Sequence, residues 1–236
     1  MRIIVFFVLS TLSLPALSQS MNLRVLGNSG FASFKGSGSA VATQVTNYTI
    51  GFSPTILANQ YYGRNSGTSY GVELQASYTF KSNIDLGIGA GFESISTTSK
   101  VVSYTQAGIV LIVYDANGKT VLTGTYVNLN PYIGYTKSIS GFKLGLKIGA
   151  DFAIPQKLKA KTTYIVPTIS KNEVTFTQNP EKPSLDIRPR VQATAEYNKI
   201  ILSVGYAKGL TNYQTNNANG EAYLNYFRIG LGYTIL

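Results

Sequence analysis

Ten charged residues share the small-residue face of alternating segments, and they are the side chains best placed to act on one another. The acids are Glu73, Asp85, Glu93, Asp151 and Glu196; the bases are Lys143, Lys147, Arg188, Arg190 and Arg228. Two chemistries fit these types. Glu73, Asp85 and Glu93 could form a carboxylate pair for acid–base work. Alternatively, the carboxylates are matched by the cations inside a confined, low-dielectric interior, where an unpaired charge is costly. Five acids against five bases favour pairing, and the expectation is a network of ion pairs.

The rest of the inventory narrows the chemistry further. The 236 residues include no Cys, no His and no Trp. Disulfides, Cys/His zinc sites, thiol nucleophiles, haem ligation by histidine and histidine-based triads are therefore excluded. Gly87-Ile88-Gly89-Ala90-Gly91 has the flavour of a phosphate loop, but no helical pattern follows it. Gly118-Lys119-Thr120 ends like a P-loop, yet the position of its first glycine is Val113. The sequence thus suggests no catalytic residue, no cofactor and no metal site, and the chain is expected not to be an enzyme.

Positioning such charges requires elements with two unlike faces. Apolar residues alternate with polar or small ones along most of the chain, the period-2 signature of strands. Tyr70–Phe80, Ile84–Glu93, Phe142–Phe152, Ile187–Tyr197 and Tyr223–Leu236 show it clearly; Thr43–Ile56, Thr123–Lys137 and Ile200–Thr211 show it more weakly. In Phe142–Phe152, for example, Phe142, Leu144, Leu146, Ile148, Ala150 and Phe152 oppose Lys143, Gly145, Lys147, Gly149 and Asp151. The result is an expectation of eight strands of about 10–15 residues, longer than the ~5–6 of soluble sheets and long enough for the ~9–11 of a membrane crossing.

The ends and connections add organisation. Arg2, the apolar run Ile3–Leu14 and the small-x-small site Ala16-Leu17-Ser18 predict a secretory signal peptide over residues 1–18. Residues 19–40 read as an N-terminal periplasmic stretch, and 41–236 as an outer-membrane β-barrel domain. Lys81-Ser82-Asn83, Ser138–Gly141 and Asn198-Lys199 are tight turns, whereas Ala58–Ser69, Thr97–Leu122, Ile154–Leu185 and Asn212–Ala222 are long. With eight strands all the tight turns fall on one rim, and Val101–Tyr114 with Lys119–Leu122 forms a hairpin-like extension above the barrel. A ten-strand alternative, in which Asn22–Lys35 and Val101–Tyr114 both cross, breaks that arrangement.

Alternation alone cannot say which face is inside. Three features place the apolar face outward. The polar face carries Gly87, Gly89, Gly91, Gly145, Gly149, Gly205, Gly230 and Gly232, suited to a narrow lumen rather than to solvent. Aromatics such as Tyr70, Tyr78, Phe92, Tyr135, Phe142, Tyr197, Tyr206, Phe227 and Tyr233 cluster near strand ends, as in the girdles at membrane interfaces. The polar-face charges also cancel. The fold class expected is therefore all-β: an eight-stranded antiparallel up-and-down transmembrane β-barrel.

With its leader, alternating strands, short turns opposite long loops, and the terminal strand Tyr226–Leu236, the chain resembles the small outer-membrane β-barrels of the OmpA-barrel and OmpX-like porin-family group of Gram-negative bacteria. That group's last strand usually ends in an aromatic residue read by the barrel-assembly machinery; here the nearest aromatic to Leu236 is Tyr233. The resemblance implies the cell outer membrane, with outer-membrane lipids and lipopolysaccharide as surroundings and the assembly machinery as a partner in biogenesis.

The functional expectation is a non-enzymatic integral membrane protein, monomeric, with a side-chain-filled polar lumen. It would act through extracellular loops in surface binding, with an unknown surface partner, or in envelope integrity. A small or gated ion or solute channel is the alternative; a soluble secreted β-barrel binding an apolar ligand is a weaker one. The formal charge of +10 does not indicate nucleic acid, because the lysines sit at turns and in one loop. Lys157, Lys159, Lys161, Lys171 and Lys182 in that loop outweigh Glu173 and Glu181 and form a candidate basic contact toward anionic lipopolysaccharide.

Overall fold

The computed structural model describes residues 20–48, 55–214 and 220–236, so the expected signal peptide lies outside the described residues. The described chain forms eleven strands: β1 (Ser20–Lys35), β2 (Ala42–Tyr48), β3 (Thr55–Ala58), β4 (Asn65–Thr79), β5 (Ile84–Ala107), β6 (Leu111–Ile139), β7 (Phe142–Val166), β8 (Ser170–Gln178), β9 (Asp186–Tyr197), β10 (Ile200–Lys208) and β11 (Tyr223–Thr234). Eight of them close a ring in the order β1-β4-β5-β6-β7-β9-β10-β11. Each neighbouring pair is antiparallel, and β1 seals against β11 from Arg24↔Thr234 to Lys35↔Tyr223. Closure leaves the ring without a free edge, as a backbone surrounded by lipid requires.

The count of eight agrees with the alternation, but the membership differs. Ser20–Lys35 is the first barrel strand, paired on both sides, and not a stretch outside the barrel. The described part of Thr43–Ile56 does not enter the ring. Instead β2 runs parallel to the upper part of β5, and β3 pairs with β2, all above the barrel. The reason lies in the residues. The outward face of β1 is diluted by Gly27 and Ser29, which blurs its period, whereas β2 buries the adjacent Val45 and Thr46 within the upper sheet. Alternation reports two unlike faces and does not say what each face meets.

Three tight turns close one rim. Ser140-Gly141 and Asn198-Lys199 place both central residues at positive φ (48° and 87°, 48° and 70°), the backbone of a type I′ hairpin whose twist matches the flanking strands. β6 and β7 therefore continue to Ile139 and from Phe142, and their turn is shorter than Ser138–Gly141. On the opposite rim the strands run on. β5 and β6 extend as one hairpin to Ala107↔Leu111, β7 reaches Val166, and β8 folds back along it. The long connections at Thr97–Leu122 and Ile154–Leu185 are thus mostly sheet; the first is a hairpin above the barrel, as expected, with its turn at 108–110.

Around the ring the outward positions form an apolar band without a charge. Val72, Leu74, Leu86, Ile88, Leu129, Ile133, Leu146, Ile148, Val191, Leu202, Ile229 and Leu231 are all exposed there. Aromatics border the band: Tyr78, Tyr135, Phe142, Tyr197 and Tyr233 toward the turns; Phe31, Tyr70, Phe92, Tyr206 and Phe227 toward the extensions. Phe142 stacks on Tyr197 at 4.7 Å between ring centres. A charge-free band between aromatic girdles is the exterior of a transmembrane β-barrel.

Candidate functional site

The inward positions alternate with that band, so everything polar on these strands converges in the lumen. Near the turn rim, Glu196 accepts from Arg24 (3.2 Å) and Lys143 (3.3 Å). Asp85 accepts a hydrogen bond from the Thr136 hydroxyl. Midway up, the Lys147 ammonium donates to Gln75 Oε1 at 2.9 Å and lies 4.4 Å from the centre of the Tyr132 ring. Among the described residues neither Asp85 nor Lys147 meets an opposite charge within 4.0 Å.

Above this layer stands the main cluster. Arg228 reaches Asp151 (2.7 Å), Glu93 (2.9 Å) and Glu73 (3.9 Å). Arg190 bridges Asp151 (3.2 Å) and Glu73 (3.5 Å). Arg188 binds Asp186 (2.7 Å) and Glu93 (3.6 Å). Glu73 also accepts from Gln75 (2.9 Å) and Asn130 (3.1 Å). Three guanidinium groups and four carboxylates are thereby interleaved with almost no exposure: Arg188 and Asp151 are both 0% accessible. Planar guanidinium forks suit this many-sided pairing better than ammonium groups do.

The structure therefore brings Glu73, Glu93, Asp151, Arg188, Arg190 and Arg228 into one cluster, sets Lys143 and Glu196 in a second, and leaves Asp85 and Lys147 with neutral partners. Two members lay outside the sequence reading. Asp186 sits two residues before Arg188 on the same face, and extending that strand's parity backward by two would have found it. Arg24 belongs to β1, whose polar positions Asn22, Arg24 and Asn28 carry the same signal once that strand is recognised.

An apolar lid covers the cluster. Phe34, Tyr62, Ile95, Leu122, Tyr126, Leu158, Tyr213 and Leu224 are buried together across the upper mouth. The lid is tied to the charges beneath it. Tyr213 donates its hydroxyl proton to Asp186 at 2.6 Å, Tyr62 donates to the Tyr213 carbonyl at 2.9 Å, and Arg188 lies 4.8 Å from the Tyr126 ring centre. Burial, then the neighbouring Tyr126 and Asp186, holds the Tyr213 hydroxyl protonated well above the usual tyrosine value. Tyr213→Phe is expected to cost about 1.5–3 kcal/mol, the range for a hydrogen bond to a charged group. Urea unfolding of the detergent-folded protein, followed by circular dichroism, measures it.

The lumen glycines do not leave open space. A Cβ at Gly87 would run into the Tyr132 ring, and one at Gly89 into the Glu73 carboxylate. Small residues on one strand accommodate the large side chains of the next.

Outside the barrel, Lys157, Lys159 and Lys161 project from the outward face of β7, while Leu158, Ala160 and Thr162 point inward. They line a cleft of about 490 Å³ with Lys119, Val121, Thr123, Thr125 and Thr163. The Lys182 ammonium is held by the carbonyls of Pro155 (2.8 Å) and Gln156 (3.0 Å) beside Lys157, whereas Lys171 lies apart, near the distal end of β8.

No protein-family model matches the chain, and no curated protein matches it. Among solved structures it is similar to Neisserial surface protein A, with 11% identity, a TM-score of 0.37, and coverage of 91% of this chain and 98% of that one. It is also similar to Ail, the attachment invasion locus protein of Yersinia pestis, with 10% identity, a TM-score of 0.30, and the same coverage, 91% and 98%. At these values neither likeness adds to what the chain's own strands establish.

Proposed function

We propose that this chain is a non-enzymatic outer-membrane protein whose barrel is a closed anchor and whose upper sheet does the binding. The charge-free band supports an anchor in lipid, and the short turns opposite long extensions, the periplasmic and extracellular ends of such barrels, support extensions that face away from the cell. The lumen, crossed by a buried ionic cluster and capped by an aromatic lid, offers no wide path.

The observation that carries the binding role is the tip of the β5–β6 hairpin. Ile109, Val110, Leu111, Ile112 and Val113 are all exposed there, far above the band that lipid covers. Five consecutive exposed apolar residues on a soluble projection mark a contact site. The test is adsorption of proteoliposomes to an apolar surface. Changing Ile109, Leu111 and Ile112 together to serine is expected to lower adsorption several-fold while leaving the barrel folded; unchanged adsorption would remove the tip from the function.

A channel is the second reading, because Asn28 and Gln192 hold buried side-chain atoms without a protein partner, polar points along which water could file. Planar-bilayer recordings separate the two. The closed anchor is expected to be silent, and Arg190→Ala to stay silent; steady conductance altered by that substitution would establish the channel instead.

A further inference from the structure

We infer that the outer wall of β6 and β7, just above the apolar band, binds a multiply phosphorylated glycolipid of the surrounding leaflet; this rests on the membrane reading above. The wall continues the lipid-facing surface. Ile154 is the last exposed apolar residue on the outward face of β7, and Lys157 follows it by one strand step beyond a register irregularity at Thr125/Tyr126. Lys157, Lys159 and Lys161 then occupy successive outward positions. They pair in register with Thr125, Thr123 and Val121 of β6, and Lys119 pairs with Thr163 one step higher. No acidic side chain lines this cleft.

Spacing selects the ligand. Alternate residues on a strand lie about 6.6 Å apart, so the three lysines span about 13 Å along β7, a rise of about 9–11 Å from the band at the ~35–45° strand tilt of a membrane barrel. An ordinary phospholipid has its single phosphate at one depth and can meet only the lowest lysine. A glycolipid with phosphates at successive depths of its saccharide can meet all three, its acyl chains lying against the band below. Val121 gives the cleft an apolar floor between the cations. Lys182 stands in the adjoining groove with Glu181, so that pair adds no net charge at the foot of the ladder, and the attraction rests on Lys157, Lys159, Lys161 and Lys119.

The test uses the full chain folded in phosphatidylcholine nanodiscs containing a few per cent of lipopolysaccharide with a phosphorylated core. Retained glycolipid is counted by native mass spectrometry, and barrel integrity is read from heat-modifiable gel mobility. Changing Lys157, Lys159 and Lys161 together to glutamine is expected to lower retention by tenfold or more, since each lysine near an anionic surface contributes on the order of a fewfold to tenfold in affinity. Phosphatase-treated lipopolysaccharide should be retained as weakly by the unaltered protein, and Lys171→Gln should change nothing. Equal retention of the dephosphorylated lipid, or by the triple variant, would overturn the proposal. So would full displacement by a soluble sulfated polysaccharide at equal charge, which would assign the ladder to a polyanion in solution. Protein that fails to enter the nanodiscs at all would overturn the membrane reading itself, an outcome distinct from an inserted barrel that retains no glycolipid.

Discussion

Arg228→Met lowers the stability of the folded barrel by about 3–5 kcal/mol, the largest loss expected from any single lumen substitution. Methionine keeps much of the volume and removes the charge. Asp151 then loses its 2.7 Å partner and Glu93 its 2.9 Å partner, and the pairing with Glu73 at 3.9 Å goes as well. The remaining cations cannot take over. Arg190 already spans Glu73 and Asp151, and Arg188 is committed to Asp186 and Glu93. Four carboxylates would face two guanidinium groups in a space that water barely enters. The fork that stacks 4.5 Å from the Tyr226 ring centre would be lost too, so Arg228→Lys recovers only part of the stability. The measurement is the midpoint of urea unfolding in detergent, with Asp151→Asn combined as a double-mutant cycle. Neutralising one carboxylate relieves the excess, so the double variant should be more stable than the sum of the single losses by 0.5–3 kcal/mol, the usual range for coupled neighbours. Strictly additive losses would mean that the cluster is solvated rather than paired.

How much of this was legible follows from what the period-2 code contains. Tyr70–Phe80, Ile84–Glu93 and Phe142–Phe152 each carry bulky apolar residues on one face and glycine or charge on the other, so their strands and faces could be read directly. Ser20–Lys35 could not, because Gly27 and Ser29 interrupt its apolar face, and the clearer-looking Thr43–Ile56 took its place. Both segments alternate, and only pairing partners, which are set by three-dimensional closure, tell a barrel strand from one laid across the upper sheet. The charge balance was readable because each inward position is fixed by parity. Which carboxylate meets which guanidinium was not, since Arg190 meets Glu73 across 117 residues of sequence. The lid was invisible for a related reason. Phe34, Tyr62, Tyr126 and Tyr213 come from four separate strands or connections and have no common spacing. The apolar tip could be seen as a run, Ile109–Val113, but its exposure follows only from the height of the β5–β6 hairpin.

Ile148→Arg discriminates the environment of the exterior, and its expected cost is about 2–4 kcal/mol. Ile148 lies midway along the outward face of β7, between the aromatic Phe142 and Ile154, and is 62% exposed. In water such a position tolerates arginine with a change of no more than about 0.5 kcal/mol, because nothing packs on the side chain and the charge is solvated. In lipid the same guanidinium stands near the mid-depth of the hydrocarbon and must reach an interface or draw water inward. The two environments predict costs several-fold apart from one substitution that touches no internal contact. Tyr135→Arg, at the turn-side girdle, supplies the gradient: near the interface the penalty falls to about 0–1 kcal/mol. Reversible urea unfolding in lipid vesicles reads both. A large loss at Ile148 with a small one at Tyr135 fixes the band's mid-depth on the barrel wall, whereas small losses at both positions would place this face in water and return the apolar exterior to the role of a protein-binding surface.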